Sequence, residues 1–104
     1  MNRYSQSELL QSVLAPLLKD FIDWFERALA LLEDRDLPTL TTEEQADLLA
    51  RVCQAKQEVE AAIALFEATA RQVGVDPTAI AGWHRLVAEC WRVSIDYRAS
   101  LPRE

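Results

Sequence analysis

His84 is the only histidine in the chain, and histidine is the one side chain whose unperturbed pKa lies near neutrality. Any Ser/His/Asp or Cys/His nucleophilic arrangement must therefore be built around it. The residue list supplies no nucleophile, base and oxyanion donor that could be assembled there. No Glu stands three positions before His84, so the Glu-x-x-His unit of a di-iron bundle is missing. The other carboxylates fall on outer helical faces rather than at matched inward positions. Cys53 and Cys90 lack Cys-x-x-Cys spacing, which argues against a metal knuckle or a redox pair. The expectation is a protein that is not an enzyme, with no catalytic, cofactor-binding or metal-binding residue and no cofactor. One ligand chemistry stands as the alternative: a small carrier of a tetrapyrrole or other cofactor, with His84 as axial ligand in a groove lined by Trp24, Trp83 and Trp91.

The charges narrow the partners. The formal net charge is −6 over 104 residues, and no segment is strongly basic: residues 75–104, the most basic third, hold four Lys/Arg against four Asp/Glu. That balance excludes the electrostatic footprint of nucleic-acid binding or of docking on an anionic membrane. Uninterrupted apolar stretches such as Ala28 to Leu32 are far short of the roughly 20 residues that span a bilayer. Met1-Asn2-Arg3-Tyr4-Ser5 lacks the apolar core of a secretory signal. The chain reads as a soluble cytoplasmic protein with no transmembrane segment.

The elements that position these residues are helices. Hydrophobic residues make up 50% of the chain and there are only two glycines, which argues against disorder and against an all-β fold with its many turns. Ser5 and Glu8 form a capping box for helix one, expected over about residues 6–34, with a kink near Pro16. Thr41 or Thr42 caps helix two, about 42–73, closed by Gly74. Asp76-Pro77 opens helix three, about 77–99. A link of about three residues forces helices two and three into an antiparallel hairpin. The fold class is all-α, one domain over 1–104: three long helices in an up-down-up bundle, completed by dimerisation. Folding the chain about residues 38 and 75 predicts three layers: Val52 against Trp24 and Tyr97, Val59 against Leu17 and Trp91 or Cys90, and Phe66 against Leu10 and Trp83. It sets Lys56 beside Asp20 or Asp23, and it leaves the two cysteines too far apart for a disulfide.

The apolar residues of helix three cover roughly 200° of its circumference, against little over ~100° for an ordinary surface helix. Helix one covers a similar arc. Two neighbours in a three-helix bundle leave part of this uncovered, and the expected interface residues are Leu18, Ile22, Leu29, Trp91 and Ile95. The expected partner is a second copy of the chain, a homodimer, with any further protein partner unspecified. Opposite the arc, Arg85, Glu89, Arg92 and Asp96 alternate in charge along one stripe, which reads as a solvated face.

Four blocks carry a family resemblance: Trp24-Phe25-Glu26-Arg27; Glu43-Glu44-Gln45-Ala46-Asp47-Leu48-Leu49-Ala50-Arg51-Val52; Gln72-Val73-Gly74-Val75-Asp76; and Trp83-His84 through Cys90-Trp91. They resemble a small cyanobacterial all-helical family of unknown function. The resemblance implies no catalytic residue; it implies a cyanobacterial setting and hence an accessory role around photosynthesis.

Overall fold

The computed structural model contains three helices, α1 (Gln6–Asp34), α2 (Thr42–Ala68) and α3 (Pro77–Ser100). It describes residues 6–69 and 75–102, with side chains from Ser12 onward, and contains no strand among them. The fold is all-α, with α1 packing against both α2 and α3. The Ser5–Glu8 capping box, the side chain of Leu10, the expected last turn of helix two as far as Val73 and its Gly74 cap all lie outside the described residues.

One pattern organises the core. The buried residues of α1 are Leu14, Leu18, Phe21, Phe25 and Leu32, and those of α2 are Leu48, Val52, Ala55, Val59 and Phe66. Both sets follow the same spacing of four, three, four and seven residues. That is the seam of a heptad pattern, which lets two helices interlock along their length. α3 contributes only Trp83 and Val87 to the buried set. The molecule is an α1–α2 pair with a third helix laid along α1.

Local chemistry fixes the ends. The Thr41 hydroxyl accepts from the Glu44 N–H at 3.0 Å while the Glu44 carboxylate accepts from the Thr41 N–H at 2.8 Å. This capping box starts α2 and separates Thr41 from Thr42. Asp76 accepts from the Thr78 N–H at 2.9 Å ahead of Pro77. Gln45 carries no local signal of its role. Its amide donates to the carbonyls of Leu32 and Arg35, each at 2.8 Å, and its oxygen accepts from the Leu37 N–H at 2.9 Å. One side chain from α2 thus satisfies backbone groups that the end of α1 leaves without helical partners, and Leu37 tucks under it, 2% exposed.

The register of α3 differs from the hairpin expectation. Phe21 meets Trp83 and Arg35 meets Tyr97, each pair 62 positions apart, and Trp24 meets Trp91 at a separation of 67. Folding about residues 38 and 75 puts such pairs about 73 apart, so α3 lies two to three turns from its expected level, ~10 to 16 Å at ~1.5 Å per residue. Trp83 accordingly bonds Glu58 of α2 rather than facing Phe66. α2 ends at Ala68, with Thr69 as its C-cap, and α3 begins at Pro77. Lys56 also misses its expected partners and meets Glu26 at 3.6 Å. Helical side chains lean toward their own N-terminus, so in an antiparallel pair the tips meet about a turn away from where their Cα levels suggest. The two cysteines are free and partly buried, as expected.

The seam and the aromatic contacts of Phe21 carry the stability. Phe21→Ala is expected to cost about 3 to 5 kcal/mol and Val59→Ala about 1 to 3, because each opens a cavity at a fully buried position. Urea melts check this; a Phe21→Ala loss below that of Val59→Ala would remove Phe21 from its central place.

Candidate functional site

α3 is held by a cluster of rings centred on Phe21. Trp83 lies 5.6 Å and His84 5.1 Å from it, both edge-on, while Trp24 meets it edge-on at 5.8 Å and Phe25 stacks at 6.1 Å. Such offset and edge geometries suit the ring quadrupoles. The Trp83 indole N–H donates to Glu58 at 3.1 Å, so the ring is buried with its polar atom satisfied. His84 is exposed and spends one ring edge on Phe21; its position is that of a packing residue.

Two grooves flank this anchor. The larger, about 550 Å³, runs between α1 and α3. Trp24 and Trp91, edge to face at 5.9 Å, bound one end. Arg35 bounds the other by donating to the Tyr97 hydroxyl at 2.9 Å, with its guanidinium 5.8 Å from the Tyr97 ring centre. The floor includes Leu32, Leu48 and Cys90, and three arginines, Arg27, Arg35 and Arg98, stand around it. Trp83 and His84 take no part in the lining, so the histidine stands apart from the groove that the other two tryptophans share. Burial, with the Glu89 charge adding to it, pushes the Cys90 thiol up to about 11, and at neutral pH it adds no charge to the floor. The hydrogen bond to Tyr97 raises the pKa of Arg35 above its ordinary value. The smaller groove, about 430 Å³, lies between α2 and α3 along Ala50, Ala55, Ala79 and Gly82.

Across that second gap Arg51 grips Glu89 with two bonds of 2.7 and 2.9 Å and holds Asp47 at 2.8 Å. Glu89 therefore leaves the alternating stripe on α3, which is exposed as expected, and acts as a clamp between helices. The Arg51 bond holds its pKa below the usual carboxylate range against the opposing effect of burial.

Of the expected interface residues, Trp91 and Ile95 are exposed, at 56% and 63%. Ile22 and Leu29 are partly buried against the core. Leu18 is not at any surface: it is 1% exposed, because it lies in the middle of the α1 seam between Leu14 and Phe21. Sequence reasoning missed the arginine-lined groove. The available signal was that Arg35 and Arg98, unlike Arg85 and Arg92, have no acidic residue three or four positions away. Among the described residues no group of three or more His, Cys, Asp or Glu side chains could hold a metal ion, and no helix is long and apolar enough to cross a membrane.

The clamp makes a pH prediction. Both partners are about half exposed, so Glu89→Gln should cost no more than about 1 kcal/mol at neutral pH. A depressed carboxylate pKa stabilises the fold above its unfolded value, 4.5, and that contribution disappears as pH falls through the folded value. Thermal melts of wild type and variant should converge on acidification below that range; a gap that persists would show that the Glu89 charge is not what the clamp uses.

No curated protein and no solved structure matches the chain. A family match covers residues 4–99, nearly the whole chain, under the description of a protein of unknown function. Its span takes in all four of the blocks singled out in the sequence and all three helices apart from the final residue of α3, so the protein belongs to the DUF2605 family.

Proposed function

We propose that this protein is a non-enzymatic helical interaction module that binds a second copy of itself along the outer edge of α3. The observation that carries the reading is the exposure of Trp91 and Ile95, one helical turn apart on the same edge. A two-fold axis near Val93 would set Trp91 of each copy over Ile95 of the other. The pairing is reciprocal, as an isologous contact requires. Tryptophan is among the residues that most often anchor interfaces.

The shape supports the same reading. The molecule measures 57 × 27 × 20 Å and exposes 7441 Å², against about 5,900 Å² for a compact monomer of its mass. The surplus exceeds the roughly 800 Å² per partner of a standard interface. Ile22 and Leu29, half-covered by the core, would add only margin to it. The non-enzymatic part rests on the residue list, from which no nucleophile, base and oxyanion donor can be assembled.

Light scattering at micromolar concentration should give twice the 11.8 kDa chain mass, with a melting midpoint that rises with concentration. The double variant Trp91→Glu, Ile95→Glu should run as a folded monomer with helical circular dichroism kept. A wild type that stays at 11.8 kDa at every concentration would contradict the reading.

A further inference from the structure

We infer that the groove between α1 and α3 binds a small amphiphile with an apolar body and a single oxyanion headgroup. The inference does not depend on self-association, and three observations carry it. The first is charge. The chain has 17 Asp/Glu against 11 Lys/Arg, yet the groove is lined by Arg27, Arg35 and Arg98 and by no Asp or Glu. No salt bridge among the described residues engages any of the three. Guanidinium groups bind carboxylates and phosphates through charge-assisted, often bidentate, hydrogen bonds. An anionic headgroup at this rim would make ion pairs that no acidic side chain among the described residues makes with these arginines.

The second observation is the apolar interior. Beside the arginines the groove is lined by the rings of Trp24 and Trp91, by the buried Leu32 and Leu48, and by the uncharged Cys90 thiol. The polar rim and apolar floor match a ligand with a head and a body. The third is length. Trp24–Trp91 and Arg35–Tyr97 both bridge α1 to α3, and they bound the groove at either end. Eleven residues of α1 and six of α3 separate the two bridges, ~16 and ~9 Å at ~1.5 Å per residue. A groove bounded at both ends suits a discrete ligand rather than a helix passing through. Its volume of about 550 Å³ lies within the roughly 300 to 1,000 Å³ of ordinary ligand sites.

Dodecanoate, kept below its micellar concentration, is the probe, with intrinsic tryptophan fluorescence and calorimetry as readouts. Saturable one-to-one binding that changes the emission of the groove tryptophans is expected. Arg35→Gln with Arg98→Gln, both exposed positions, should weaken it by about tenfold or more while helical content stays. Ile95→Glu, which lies outside the groove lining, should leave the affinity unchanged whatever it does to oligomeric state, so failure of this proposal and failure of self-association are separately visible. Dodecyltrimethylammonium, with the same tail and the opposite charge, should not bind. Absence of saturable dodecanoate binding, equal binding by the cationic amphiphile, or undiminished binding by the arginine variant would each overturn the inference.

Discussion

The structure depends on the interlocking of α1 and α2. Among the described residues five buried positions on each helix repeat the same spacing, and the seven-residue step in each is bridged by partly buried Ala28 and Leu29 on α1 and Ala62 and Ile63 on α2. Burial of this kind removes apolar area from water at roughly 25 cal/mol per Å², and a continuous seam concentrates it in one pair of helices. Gln45 then fixes where the pair is closed, because its amide can serve the end of α1 only at one register. What remains of the chain must be accommodated on the outside of this pair.

α3 is accommodated through rings. Trp83 and Val87 are its only buried residues, and Phe21 is the hub against which Trp83 and His84 lie. A helix anchored at one place by large side chains stands off from its neighbours elsewhere, and the stand-off appears as a groove on each side. On the α2 side the gap is spanned by long polar side chains, Arg51 to Glu89 and Glu58 to Trp83. On the α1 side it is spanned at both ends and left open between. The same displacement leaves Val13 and Leu65 exposed at the end of the pair, where α3, starting at a level near Ala15 of α1, does not reach.

The helices, a cap at Thr41 or Thr42, the Asp76 cap and the exposure of Trp91 and Ile95 were legible in the sequence, because each depends on residues a few positions apart. Register was not. The Asp76-Pro77 signal shows where α3 begins but not how far the chain travels after α2, so the level of Trp83 against α1 could not be read. Leu18 shows the second limit: a helical wheel reports that a residue is on an apolar arc, but not which part of the arc the neighbour covers. Lys56 shows the third, since its contact with Glu26 follows from the lean of both side chains rather than from the positions of their Cα atoms. The arginine groove combines α1 and α3 residues that only the tertiary register brings together.

On the proposed reading, α3 rests its inner face on a stable pair and offers its outer edge to another copy. Hydrogen exchange followed at several protein concentrations tests this most directly, because it reports the opening of each helix separately. Amides along the α1–α2 seam should exchange slowest, at a rate set by global unfolding. At low concentration α3 amides beyond Val87 should exchange faster, and they should gain protection as concentration rises. Protection in that part of α3 equal to the seam and independent of concentration would contradict the account.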